Sequence, residues 1–182
     1  MKCTSTDAEK RAAFAVADLM AAAARTAPKG CGVDNIEVVI LDGKEKEKLS
    51  ADMRRIAKET DTEFFNRDAD NVDNSHCIIL IGVRDNPLGL EQCGSCGFEN
   101  CGYAKQAGAN CAFNITDLGI AIGSAVSIAA DNRIDNRVFY SAGKTAVMTE
   151  VFPKDVKVAY GIPLSTSAKS IFFDREPGCV LV

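Results

Sequence analysis

The sequence predicts a layered domain of the α+β class, built in the α/β manner with helices flanking a sheet. Apolar, β-branched runs alternate with amphipathic segments along the 182 residues, and this alternation favours such layers. No internal repeat, linker or low-complexity tract divides the chain, so we expect residues 1–182 to form a single domain. Four cysteines crowd one stretch, which predicts a cysteine-rich loop at 91–112 inserted into that domain.

The first third of the chain predicts a helix, a strand and a second helix. Residues 8–25 are rich in alanine, a strong helix former, and Pro28 ends the helix because proline cannot continue one. The β-branched run 35–42 predicts a strand. Residues 44–60 predict a charged helix, since their apolar members recur at helical spacing and share one face.

The middle of the chain predicts a loop, a central strand and a long helix. The polar stretch 66–74 indicates a loop, and the continuous apolar run 76–83 is typical of a strand buried on both faces. Residues 114–130 predict a helix with Asn114 as its N-cap. Three small residues repeat every four positions along it and favour close packing against another helix or a subunit: Gly119, Gly123 and Ser127.

The last part predicts three further elements. We expect a short strand at 137–140, a helix at 144–151 that stops before Pro153, and a final strand at 156–162 ahead of Pro163. The predicted order is therefore α, β, α, β, cysteine loop, α, β, α, β.

Composition and charge exclude several classes of partner. A net charge of −4 and the lack of a basic stripe argue against nucleic acid. No uncharged apolar run reaches 18 residues and the N-terminus has no apolar signal core, so we expect no membrane contact and a cytoplasmic location. In a reducing cytoplasm, clustered cysteines bind metals or act in catalysis more often than they form disulfides.

The clustered cysteines form the strongest chemical pattern, Cys93-x2-Cys96-x4-Cys101-x9-Cys111, with glycine after each of the first three. Thiolates gathered on a tight loop can share one inorganic centre. Zinc ribbons show two separated Cys-x2-Cys pairs, whereas this segment has one pair and two more cysteines at other gaps. The spacing therefore favours a four-iron four-sulfur (4Fe-4S) cluster, with zinc and free thiols as the alternatives.

The remaining cysteines and the single histidine indicate no catalytic centre. Cys77 begins an apolar strand and is expected to be a small buried residue, while Cys31 between two glycines is a weak candidate for a reactive thiol. Cys3 and Cys179 carry no pattern. His76 alone cannot supply a histidine-based metal site, and no nucleophile–base pair is recognisable, so the catalytic residues stay unknown.

Four segments resemble a known protein family along nearly the whole chain. They are Arg25–Asp34 (Arg-Thr-Ala-Pro-Lys-Gly-x-Gly-x-Asp), Cys93–Cys101, Asp117–Ala125 and Val158–Ser165. Together they are similar to the uncharacterised bacterial and archaeal proteins described as containing a ferredoxin domain. The cysteine run also resembles the 4Fe-4S domain of corrinoid iron–sulfur proteins, although the gap before Cys111 is shorter here.

A more distant resemblance is to the flavin-dependent nitroreductases, whose chains share the Ala-Pro end of the first helix, the long central helix and a late strand ending in Gly-x-Pro. It implies a mixed sheet flanked by helices, a homodimer, and flavin mononucleotide (FMN) bound between subunits. Two departures are visible. The phosphate-clamping Arg-Ser-x-Arg of that family is missing, and Lys29 and Gly32 replace residues that usually face the flavin. On this resemblance Arg25 and Lys29 are the flavin-binding candidates.

The sequence thus predicts a cluster-bearing redox protein that transfers electrons to a partner protein or a small-molecule acceptor. If it is an enzyme, it is an oxidoreductase of the nitroreductase type, with FMN as a second cofactor. The alternative is a structural or binding module that zinc or a cluster stabilises without catalysis.

Overall fold

The structure is a computed structural model that describes residues 2–172. In it, a four-stranded sheet lies between two layers of helices. The helices are α1 Ser5–Thr26, α2 Gly43–Thr60, α3 Phe64–Asn74, α4 Cys101–Gln106, α5 Ala112–Asp131 and α6 Tyr140–Met148. The strands are β1 Ile36–Leu41, β2 Cys77–Arg84, β3 Asp135–Asn136 and β4 Val156–Ser165, and a 3-10 turn at Gly30–Gly32 leads from α1 towards β1. The layered fold class is confirmed.

The strand order is β1-β2-β4-β3, so the apolar run of β2 is central, as predicted. Every pairing among the described residues is antiparallel, whereas a mixed sheet was expected. Pro163 lies inside β4 and not behind it. Gly161 exchanges two main-chain hydrogen bonds with Phe139. Residues two apart on a strand direct their nitrogens to the same edge, so the nitrogen of Pro163 also faces the edge of β4 next to Phe139 and β3. Strand β3 pairs there only with residues 164 and 165.

Alternating side chains of β2 supply both cores. Ile79, Ile81 and Val83 face α1 and α5, whereas Ile78 and Leu80 face α2, α3 and α6. Both sets are buried, and the run therefore has no polar alternation. Helix α6 packs tightly on the sheet, because a Cβ on Gly143 would stand 2.0 Å from the carbonyl oxygen of Ala159. Only glycine fits there.

The first helix begins earlier than predicted, because Thr4 and Asp7 form a capping box. It ends at Ala27, whose extended backbone is the one favoured before a proline. In α2 the predicted apolar face is buried, with Leu49 and Met53 at its centre.

Two local predictions are wrong. Residues 66–74 belong to helix α3, in which Phe65, Ala69 and Val72 are buried on one face despite their polar neighbours. Burial of that face outweighs the weak helix propensity of Asn and Asp. Of the residues predicted as a strand at 137–140, the first two are irregular, Phe139 forms a single bridge and Tyr140 begins α6; the strand itself is Asp135–Asn136.

Candidate metal centre

The four clustered cysteines lie on one excursion of the chain between β2 and α5. Residues 85–100 form no helix or strand, α4 follows, and a short link leads to α5. Gly94 and Gly97 have φ angles of 59° and 82°, which glycine adopts without strain. Gly102 is different, because it lies inside α4, where an added Cβ would stand 3.0 Å from the capping oxygen of Asn100. The left-handed backbone that glycine allows therefore occurs at the first two of these glycines and not at the third.

All four cysteines line the same cavity, which together with adjoining open solvent has about 370 Å³ free of protein atoms. Its other walls are mainly apolar: Pro87, Leu90, Phe98, Ala104 and Ala112, with Gly94 and Asn100. None of the four thiols is in a disulfide; Cys111 is buried and the others are half-buried. The geometry thus brings the predicted ligand set together around one volume.

The thiols surround a volume and do not meet at a point. No three His, Cys, Asp or Glu side chains within residues 2–172 are close enough together to hold a single metal ion. A mononuclear zinc site needs all four sulfurs about 2.3 Å from one atom. In a 4Fe-4S cluster each thiolate binds a different iron, so the sulfurs stand apart on a larger core. Four thiols line the cavity, and thiolates are the ligands that iron–sulfur clusters take.

Two of the thiols are at helix N-termini. Cys101 is the first residue of α4, whose N-cap Asn100 accepts a hydrogen bond from the Tyr103 amide at 3.1 Å. Cys111 is the N-cap of α5, and its carbonyl accepts from the Ile115 amide at 3.2 Å. The amide ends of helices carry partial positive charge, which favours negative sulfur.

Cys93 is stabilised differently. Its Sγ lies 3.4 Å from the Ser95 hydroxyl, and hydrogen bonds from the Ser95 side chain and backbone hold the pKa of this thiol below its ordinary value. Ionisation at this position is therefore easier than for a free cysteine. By contrast, burial in the β2 core raises the pKa of Cys77 to about 12, which agrees with its predicted role as a buried apolar residue.

The N-cap of α5 is Cys111, so the prediction of Asn114 as the N-cap is wrong. The side chain of Asn114 is buried and instead binds the main chain at the start of the cysteine loop, through Arg84 and Asn86. Asn35, at the start of β1, joins the same cluster. No sequence signal connects these positions, because they are far apart along the chain and asparagine is common in turns.

The side chains of the two flavin candidates, Arg25 and Lys29, donate hydrogen bonds to main-chain carbonyls. Arg25 pairs with Asp34 at 3.0 Å and donates to the Ile36 carbonyl. The Lys29 ammonium donates to three carbonyl oxygens near the end of α1, at 2.9, 2.7 and 2.7 Å: Ala24, Arg25 and Ala27. Both side chains thus have a structural role, and their contact with flavin stays a prediction.

The turn that follows Lys29 lies against the cysteine loop. An added Cβ on Gly30 would stand 2.7 Å from Leu88 and 3.5 Å from Phe113, residues that flank the cavity-lining Pro87 and Ala112. Both carboxylate oxygens of Asp117, on α5, accept from the Gly30 amide at 3.0 Å. One helix therefore holds this turn beside the candidate metal centre.

The outer face of α5 is apolar. Ile115 and Ile120 are 39% and 41% exposed, and among the residues that the structure describes nothing beyond the helix's own backbone lies within 4 Å of a Cβ added to Gly119 or Gly123. Between residues 112 and 130 the one charged side chain, Asp117, is buried. By length and composition α5 could cross a membrane, although its inner face packs into the core with α1.

Comparison with known proteins gives the same two resemblances. Residues 107–175 match a family model described as "uncharacterized protein containing a ferredoxin domain", a match that includes Cys111 but begins after the other three cysteines. An uncharacterised protein of Archaeoglobus fulgidus is 45% identical over 168 residues, which cover 87% of this chain and 89% of the relative.

Solved structures resemble the fold. A nitroreductase with bound FMN from Desulfitobacterium hafniense has a TM-score of 0.59 at 15% identity, covering 86% of this chain and 79% of that one. A nitroreductase with bound FMN from Bacteroides fragilis has a TM-score of 0.57 at 13% identity, covering 92% and 86%. The fold is thus nitroreductase-like. With a relative of 45% identity along most of both chains and a matching family model, the chain belongs to the family of uncharacterised proteins that contain a ferredoxin domain.

Proposed function

We propose that this protein is an electron-transfer protein that carries a 4Fe-4S cluster on Cys93, Cys96, Cys101 and Cys111. The observation that carries the proposal is the convergence of these thiols on one largely apolar cavity without disulfides. Membership of a family described by a ferredoxin domain supports a redox role. Such a cluster, when bound, accepts and releases single electrons.

The chain's own residues would hold and tune that centre. The four thiolates would bind the irons, while Pro87, Leu90 and Phe98 keep water from part of the cavity wall. The N-termini of α4 and α5 favour added negative charge at Cys101 and Cys111. Dipoles and water exclusion are the means by which a protein sets a cluster's reduction potential.

Anaerobic purification tests the proposal, with iron, sulfide, zinc and flavin measured on one sample. We expect a brown protein with iron and sulfide in equal amounts, whose colour bleaches with dithionite. Cys96→Ser should lose the colour and most iron. Cys31→Ser is the matched control, since Cys31 is exposed and does not line the cavity, and it should keep both. Zinc without iron, or full iron in Cys96→Ser, would overturn the assignment.

A second candidate, a flavin-linked reductase, is favoured by the contact of the Lys29–Gly32 turn with Leu88 and Phe113. FMN bound at that turn would lie beside the cluster, so electrons would pass between them over a short distance. Lys29 would then have to exchange a carbonyl partner for the phosphate. Flavin fluorescence released by heating would support this candidate; its absence from protein purified with added FMN would exclude it.

We also propose that two copies associate through the outer face of α5 and that the protein works in the cytoplasm with a redox partner protein or a small-molecule acceptor. Exposed glycines inside a helix cost stability, and at Gly119 and Gly123 no residue within 2–172 packs closely enough to explain that cost. Two exposed isoleucines on the same face would be covered by the second copy.

A further inference from the structure

Three asparagine side chains from three segments meet behind the cysteine cavity. Asn35 directly precedes β1, Asn86 follows β2, and Asn114 lies in the first turn of α5. We infer that they form an amide clamp that positions the cysteine loop, with Asn114 as its central positioning residue. This inference rests on the proposed function only for its consequence at the cluster; the clamp itself is a property of the protein without iron.

The clamp is closed by reciprocal hydrogen bonds. The Asn114 amide donates to the carbonyls of Arg84 at 3.2 Å and Asn86 at 3.0 Å, and its oxygen accepts from the Asn35 amide at 3.4 Å. The Asn35 amide also donates to the Asn86 carbonyl at 3.3 Å, and the Asn86 side-chain amide donates back to the Asn35 oxygen at 3.0 Å. The polar atoms of Asn114 and Asn35 thus all have partners.

Burial makes this arrangement specific. Asn114 and Asn35 are 2% and 6% exposed, and a buried amide is costly unless its hydrogen bonds are made. A satisfied buried network rigidifies its surroundings, because a small displacement would leave several groups unpaired. The clamp therefore favours one separation between the residues that it joins.

The distance between Asn86 and Asn114 sets the shape of the cavity. The cysteine loop leaves the sheet through Asn86, and the next residue, Pro87, is part of the cavity wall. The loop returns through Cys111, one helical turn before Asn114. By binding the Asn86 carbonyl, Asn114 fixes the entry of the loop relative to its exit, and so the position of Cys111 opposite the other three thiols.

The first test uses iron-free protein. Lys105, exposed on α4, is the only lysine or arginine between Arg84 and Arg133, so trypsin reports opening of the loop there. Asn114→Ala removes the clamp, and Asn114→Asp keeps its shape but replaces the two donors by a carboxylate oxygen. Losing buried hydrogen bonds should raise the rate of cleavage after Lys105 about tenfold in both variants. Asn132→Ala is the control, since Asn132 is exposed beyond the far end of α5 and should leave the rate unchanged.

The second test uses protein loaded with iron. Both Asn114 variants should release iron to a chelator about tenfold faster than the natural protein, and their reduced forms should give broader electron paramagnetic resonance lines. Circular dichroism checks that each variant is folded. Unchanged cleavage and unchanged iron release in folded Asn114→Asp would overturn the clamp. If the natural protein binds no iron, the proposed function fails, but the cleavage test still decides whether the clamp exists.

Discussion

Replacing Gly119 and Gly123 by alanine tests whether the outer face of α5 is covered by a second copy. Both glycines lie inside a 20-residue helix, and apart from that helix's own backbone nothing in the described part of the chain is within 4 Å of an added Cβ. In a chain that stays alone, each alanine should add about 1 kcal/mol of helix stability. The double variant should then gain about 2 kcal/mol in the free energy of unfolding, and its melting temperature should rise by about 4–8 °C.

A second copy changes the expected result. Packed helices lie about 8–10 Å apart, and glycines allow the closest approach. Two added methyl groups per chain would separate such helices, and a loss of about 1.4 kcal/mol raises the dissociation constant tenfold. We therefore expect the double variant to be more stable as a monomer at high dilution, but to dimerise at least about tenfold more weakly.

Sedimentation velocity over a dilution series measures the association, and urea unfolding at two protein concentrations measures the stability. Asn74→Ala serves as the control, because Asn74 ends α3 on the other side of the sheet and should leave dimerisation unchanged. The reasoning is refuted if the double alanine variant is stabilised by the full amount while associating as the natural protein does.

Three further changes test the packing. Gly143→Ala should lower the free energy of unfolding by about 3 kcal/mol or more in urea, since its Cβ would stand 2.0 Å from the Ala159 carbonyl oxygen. Cys77 should resist alkylation in the folded protein at pH 8. Burial raises its pKa from 9.0 to about 12, so the unfolded chain loses this proton at a lower pH than the folded protein. The free energy of unfolding should therefore fall as pH rises from 9.0 towards 12, and it should fall less in Cys77→Ala. Lys46→Met should cost about 1–3 kcal/mol, measured in urea against Lys58→Met, because it removes the ammonium that donates to the carbonyls of Val72, Asp73 and Ser75, of which only that of Val72 keeps its hydrogen bonds from Ser75.

The sequence predicts those parts of the fold whose signal is local and apolar. The run in β2 is apolar at every position, so its place at the centre of the sheet follows from composition. Helix α3 was missed because its buried apolar residues are only three, set among asparagines and aspartates, which also favour turns. Its helical state depends on packing against α2 and the sheet, and a single sequence does not show that packing.

The candidate site divides in the same way. Cys93, Cys96 and Cys101 are close in the chain, and any tight loop brings their sulfurs near one another. Nothing local associates Asn35 with Asn114, since 79 positions separate them and only the finished fold brings their amides together. Asn114 also shows why a correct residue type can mislead: asparagine is a good N-cap, but its amide here donates to the carbonyls of Arg84 and Asn86, and the residue at the capping position is Cys111.

Helix α5 connects all of these features, and this explains its composition. Its first residues bind the cysteine loop through Asn114 and the turn at Gly30 through Asp117, so both need a rigid, buried anchor. Its inner face supplies that rigidity by packing between α1 and the sheet, which requires small apolar residues such as Ala121 and Ala125. Asn114 and Asp117 place its buried polar side chains at one end, and between residues 112 and 130 its outer face carries no charge. A second copy that covers this face would stabilise the same helix that holds the candidate metal centre, so weakening the dimer should also speed the loss of iron.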